Sequence, residues 1–149
     1  MSKAREDKAI EPVRLTFTIN GADFIHAGEA SSSTRKVLAK LGINAAIVKR
    51  AAIAMYEAEL NAVIHADGGT ADVAIYPDRV DIKIVDRGPG IPDVDLAMQE
   101  GWSTAPETAR EMGFGAGMGL PNIKRQADQL SIETAPGQGT TVSISIRFQ

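Results

Sequence analysis

Glu57, Asn61 and His65 recur at four-residue intervals in a stretch otherwise dominated by apolar side chains. Spacing of i, i+4, i+8 places all three on one stripe of a helix. Burying a carboxylate and an amide without partners costs roughly 2–7 kcal/mol, so the stripe needs something polar to face. One reading is an oxygen pair for Mg²⁺, an ion that takes few protein oxygens and completes its shell with phosphate and water. The other is a helix edge that reaches solvent, or a structural hydrogen bond. His65 stands near the end of the stretch, where an imidazole suits free helical carbonyls.

Two further groups have residue types suited to a nucleotide. The string Asp86-Arg87-Gly88-Pro89-Gly90 directly follows an alternating run. An ionised Asp only accepts hydrogen bonds, so at a strand end it can take the exocyclic amine of adenine. Gly88 and Gly90 remove side chains where a base must approach the backbone, although a plain strand-ending turn has the same composition. Gly113, Gly115, Gly117 and Gly119 alternate just ahead of a helical pattern. A glycine loop entering a helix N-terminus offers unpaired N–H donors and a favourable dipole to phosphates; a flexible loop is the alternative. The spacing lacks the third glycine of a dinucleotide fingerprint, and no Gly-Lys-Ser/Thr marks a Walker loop. The late pair Gly139-Thr140 adds a hydroxyl suited to holding the Asp86 carboxylate.

The elements that must position these residues follow from periodicity. Val13 to Ile19 alternates as a half-buried strand, and Asn20-Gly21 turns the chain. A helix is predicted from about Ala27 to Leu41, closed by Gly42. Asn44 opens a second, Ala45 to Ala66, without Gly or Pro and apolar on nearly every side, which predicts burial. Asp67-Gly68-Gly69 ends it, and strands Ala71–Tyr76 and Arg79–Val85 flank the turn Pro77-Asp78. Asp93 caps a short helix to Glu100, and residues 101–119 form a long glycine-rich lid. Leu120 to Leu130 returns to helical spacing, and strands Ser131–Thr134 and Thr141–Phe148 close the chain. Helices grouped with a mainly antiparallel sheet give an α+β chain, a two-layer α/β sandwich rather than a doubly wound sheet.

Composition narrows the function classes. The 149 residues fit one domain, 13–149, behind a flexible N-terminal tail, 1–12. Hydrophobic residues at 44% and charged residues at 23% are ordinary for a globular chain and exclude a disordered one. A net charge of −3 gives no electrostatic case for nucleic acid. The absence of cysteine excludes disulfides and thiolate chemistry. No apolar run approaches the ~20 residues of a membrane span, and residues 1–12 do not read as a signal peptide. A cytoplasmic protein without membrane contact is expected.

Taken together and in order, these motifs resemble the GHKL ATPase superfamily of gyrase, Hsp90, histidine kinases and MutL. Residues 57–65 resemble its N box, 86–90 its G1 box and 113–120 its G2 box. The resemblance implies the Bergerat fold, with one sheet face covered by helices, and binding of ATP with Mg²⁺. It gives Asn61 the metal, Glu57 the role of base and Asp86 the adenine. Gly88, Gly90, Gly113, Gly115, Gly117, Gly119 and Thr140 complete the implied nucleotide site. Asp86 to Asp93, Gly101-Trp102-Ser103-Thr104 and Gly115 to Pro121 look most like stand-alone switch kinases of the RsbT, RsbW and SpoIIAB type. That implies a serine/threonine kinase acting on a STAS-domain partner, or an anti-sigma factor sequestering a sigma factor; homodimers are common among such proteins. A detached histidine-kinase domain is a third reading, but neither His26 nor His65 lies in a phospho-accepting hairpin. The segment Ala105–Met112 is longer than in that type, and within it Arg110 either reaches the γ-phosphate or faces solvent. Glu59, two residues from Glu57, faces elsewhere on the helix and is structural or partner-facing.

Overall fold

The computed structural model describes residues 11–91, 94–99 and 119–149. The chain runs β1 (Val13–Asn20), α1 (Glu29–Lys40), α2 (Ala45–His65), β2 (Gly68–Ile75), β3 (Arg79–Asp86), α3 (Val94–Ala97), α4 (Gly119–Gln126), β4 (Gln129–Thr134) and β5 (Thr140–Arg147). The strands form one five-stranded sheet in the order β1-β2-β3-β5-β4. Every neighbouring pair is antiparallel. Alternation along the strands splits the sheet into two faces. Val80, Ile82 and Ile84 of β3 and Val142, Ile144 and Ile146 of β5 are buried under the helices. Arg79, Asp81 and Lys83 point to the other face. This is the two-layer arrangement expected from the sequence.

α2 is the central element, packing on four strands as well as on α1 and α4. Its buried residues include Ala51, Ala54, Ala58 and Ala62, small side chains that let its backbone approach the sheet closely. Asn44 starts it as an N-cap, its side chain accepting from the Ala46 N–H at 2.9 Å. α1 ends in a Schellman motif: Gly42 takes φ +80°, and Ile43 N–H reaches back to the Leu38 carbonyl at 3.2 Å.

The N-terminus of α1 is closed from outside its own sequence. Its N-cap, Gly28, has φ +99° and no side chain to contribute. Glu59 of α2, 3% exposed, supplies the acceptors. Its Oε2 takes the N–H groups of Gly28 at 2.9 Å and Ala30 at 3.2 Å, and its Oε1 that of Ser31 at 3.0 Å. Of the two roles expected for Glu59, the structural one is what the geometry shows.

Several boundaries differ from the sequence expectation by one to four residues, and three of the shifts have a cause in the contacts. β2 begins at Gly68, because both glycines after Asp67 are already paired, Gly68 with Asn20 and Gly69 with Ile19 and Asp86. α4 stops at Gln126, not Leu130: Arg50 draws the Gln126 carbonyl toward itself, at 3.0 Å from Nε and 2.6 Å from Nη2. Gln129 and Leu130 then pair with Ser145 and Ile144 as the start of β4. The expected cap Asp93 and nearly all of the expected lid lie outside the described residues.

Candidate functional site

Two clusters on the helix-covered side gather the candidate residues that are described. The first is built around Asp86, the last residue of β3, which continues the inward series Val80, Ile82, Ile84. A carboxylate at the end of an apolar row needs donors, and the backbone supplies two. Asp86 Oδ1 accepts from Gly88 N–H at 2.9 Å and from Thr140 N–H at 3.0 Å. Oδ2 accepts no hydrogen bond among the described residues.

Thr140 therefore does hold Asp86, but through its backbone. Its hydroxyl pairs instead with Thr134 Oγ1 at 3.0 Å. Gly139 is required there: it has φ +78°, and a Cβ would collide with the Asp86 carbonyl oxygen. Gly90 has φ +83°, and its missing side chain makes room for the Ala135 carbonyl of the following turn, not for a base. A cleft lined by Val63, Ile64, Gly88, Pro89 and Gly137 runs between the C-terminal half of α2 and these two turns.

The second cluster lies where α2 meets the start of α4. Gly119, the first residue of α4, sits against the polar stripe of α2. A methyl group at Gly119 would stand 3.1 Å from Asn61 Oδ1 and 3.5 Å from Glu57 Oε2. One turn of α2 thus aims an amide oxygen and a carboxylate oxygen at a helix N-terminus that carries no side chain. Asn122, one turn into α4, extends its Nδ2 to Glu57 Oε1 at 3.5 Å. Arg125 in turn donates to Asn122 Oδ1 at 2.6 Å. Burial pushes the Glu57 carboxyl above its ordinary range, and the Asn122 amide offsets part of that rise.

Glu57, Asn61 and Gly119 therefore meet, and Asp86, Gly88 and Thr140 meet. Gly113, Gly115, Gly117 and Arg110, and the side chain of His65, lie outside the described residues. Sequence reasoning missed Asn122 and Thr134. Asn122 carries no sequence signal beyond standing three residues after the last glycine of the loop. Thr134 reads as an ordinary strand-end residue until its partners are known. Among the described residues no helix is long and apolar enough to cross a membrane.

The five-stranded antiparallel sheet with its helices defines an α+β domain, and comparison gives its family. Residues 30–149 match the histidine kinase-, DNA gyrase B-, and HSP90-like ATPase family, and the chain belongs to it. Membership implies ATP binding. The chain is 33% identical over 112 residues to the serine/threonine-protein kinase RsbT of Bacillus subtilis, covering 72% of this chain and 78% of that one. It is 38% identical over 100 residues to the anti-sigma F factor of Pasteuria penetrans, covering 62% of this chain and 63% of that factor's length. Among solved structures, the RsbU and RsbW domains of Rv1364c from Mycobacterium tuberculosis superpose with a TM-score of 0.62 at 20% identity, over 91% of this chain and 32% of that one. The mycobacterial sensor histidine kinase MprB gives 0.53 at 19% identity, over 91% and 97%. These two likenesses show the fold.

Proposed function

We propose that this chain is an Mg·ATP-dependent serine/threonine protein kinase of the switch type, acting on a hydroxyl of a STAS-domain partner. The observation that carries the reading is the convergence of Glu57 and Asn61 on the N-terminus of α4 at Gly119. The name of the RsbT relative supports the choice of reaction.

The residues fit the ligand. Asp86 leaves Oδ2 for the amine of adenine, with Gly88, Gly90 and Thr140 shaping its surroundings. Gly119, with Gly113, Gly115 and Gly117 ahead of it, would give backbone N–H groups to the phosphates. Asn61 Oδ1 is the oxygen that would hold Mg²⁺, consistent with an ion that takes few protein ligands. When bound, Mg·ATP supplies an electrophilic γ-phosphoryl group.

Glu57 takes the proton of the incoming hydroxyl on a carboxylate oxygen as the new O–P bond forms and ADP departs. Its raised affinity for a proton brings it nearer to the optimum of a base working at neutral pH. Asn122 keeps the carboxylate turned toward Gly119. Most of the rate comes from holding the reactants, because phosphoryl transfer asks little covalent help of the protein.

A second reading has a specific observation behind it, the 38% identity to an anti-sigma F factor. There the chain sequesters a sigma factor with nucleotide-dependent affinity. One experiment separates the two: incubate the protein with labelled ATP and the STAS and sigma proteins encoded beside it. Label on the STAS protein, lost in Glu57→Ala while nucleotide still binds, supports the kinase. A stable sigma complex without label transfer supports sequestration. Full transfer by Glu57→Ala removes Glu57 as the base.

A further inference from the structure

The Thr134 hydroxyl is a three-way junction that no motif accounts for. Its Oγ1 accepts from the Ile91 N–H at 2.8 Å, lies 3.2 Å from the Gly139 carbonyl oxygen and 3.0 Å from the Thr140 hydroxyl. A hydroxyl has one proton and two lone pairs. The Gly139 carbonyl can only accept and the Ile91 N–H can only donate. Thr134 therefore donates to Gly139, and its remaining lone pair takes the Thr140 O–H. Its hydrogen-bonding capacity is filled.

The carbonyl of Gly139 and the N–H of Thr140 are opposite ends of one peptide group. On one side that group accepts from Thr134; on the other it donates to Asp86 Oδ1 at 3.0 Å. A continuous chain results: Ile91 N–H to Thr134 hydroxyl, to the 139–140 peptide, to the Asp86 carboxylate. Bonds in such a chain polarise one another. The same hydroxyl also anchors the far end of the turn whose near end, Gly88, donates to Asp86. Both backbone groups that orient Asp86 are thus tied, directly or through the turn, to one side chain of β4.

We infer that Thr134 is a positioning residue for base selection, aligning the 139–140 peptide so that Asp86 Oδ2 faces the amine of adenine. The inference rests on the proposed reading of Asp86 as the base-recognising residue. Thr134 itself touches no nucleotide. Guanine carries a carbonyl where adenine carries the amine, so a fixed carboxylate repels it, and a carboxylate free to turn loses that discrimination.

The test measures the dissociation constants of ADP and GDP for the intact chain and for Thr134→Val, Thr134→Ser and Thr134→Ala. The wild type binds ADP in preference to GDP. Thr134→Val keeps the shape but loses the hydroxyl, and its ADP affinity falls about tenfold with GDP affinity unchanged, the scale of one aligned hydrogen bond. Thr134→Ser retains the wild-type ratio. If Thr134→Val does not fold, Thr134→Ala gives the same readout. Two results overturn the inference: an unchanged ADP-to-GDP ratio in the hydroxyl-free variant, which marks a purely structural role if both affinities fall together, or a serine variant as unselective as valine. A wild type with no preference for ADP instead overturns the adenine reading of Asp86, and this inference with it.

Discussion

Glu59 and Gly28 are joined by a 2.9 Å hydrogen bond that spans 31 positions of sequence and fixes where α1 begins. A buried carboxylate on one helix replaces the N-cap side chain that glycine cannot offer to another. Glu59→Ala leaves the N–H groups of Gly28, Ala30 and Ser31 without these acceptors. The expected loss is about 2–4 kcal/mol, read as a lower urea midpoint. Glu59→Gln keeps one acceptor oxygen and falls between.

At neutral pH Glu57, the residue that the proposed reading makes the base, works against stability. Its carboxyl binds its proton more tightly in the folded chain than the ordinary value of 4.5, because it is buried. The contribution of this group to stability is therefore fully present below that value and is lost as pH rises through the raised folded one. Glu57→Gln cannot ionise, so its thermal midpoint exceeds that of the wild type at pH 7–8. The gap closes as pH falls below the ordinary value. On the kinase reading, the same variant loses about 10²–10⁴-fold in phosphoryl transfer while nucleotide affinity stays. Equal midpoints across this pH range would refute the linkage.

If Asp86 meets the base as proposed, Asp86→Asn puts an amide where a pure acceptor faces adenine and weakens ATP binding by about tenfold or more in a direct titration. Unchanged affinity removes Asp86 from the base site.

Two glycines of one turn should respond unequally to alanine. Gly139 and Gly137 both have positive φ, which costs an L-residue about 1–2 kcal/mol. A Cβ at Gly137 meets nothing within 4 Å, whereas one at Gly139 strikes the Asp86 carbonyl. Gly137→Ala is thus mildly destabilised and binds nucleotide normally. Gly139→Ala loses more than about 2 kcal/mol and loses nucleotide affinity as well.

Arg50 and Asp128 hold the far end of α4. The Arg147 N–H, with help from Arg50, keeps the Asp128 carboxyl below its ordinary value of 3.8. Its contribution to stability is present above that value and disappears as pH falls through the lower folded one. Acid unfolding of Asp128→Asn is accordingly less steep than that of the wild type. Arg50→Ala, which frees the Gln126 carbonyl, lowers the urea midpoint by an amount equivalent to about 1 kcal/mol.

The sheet was legible because alternation is a local signal: Val80, Ile82 and Ile84 announce their face without reference to any partner. The polar stripe of α2 was legible for the same reason, since Glu57 and Asn61 break an apolar pattern at a helical interval. What could not be read depends on residues distant in sequence. The trans cap from Glu59, the junction at Thr134 and the amide of Asn122 beside Glu57 join positions 28 to 65 apart, apart from the local contacts of Thr134 with the 139–140 turn. The early end of α4 belongs here too, because Arg50 sets it from 76 residues away. Thr140 was located correctly and its acting atom was not. A side chain announces a hydroxyl, while the backbone N–H that reaches Asp86 is common to nearly every residue.

Glu57 and Glu59 are separated by a single alanine and serve opposite sides of one helix, the first turned to α4 and the second to α1. Each residue added to a helix rotates everything after it by about 100°. An insertion or deletion between Glu59 and Asn61 would therefore leave either the cap of α1 or the Asn61 cradle facing the wrong way. No shift of the whole rod restores both. Libraries that vary segment length should recover folded, nucleotide-binding chains from the Pro77-Asp78 turn and lose them from this half-turn of α2, whatever residue types they sample.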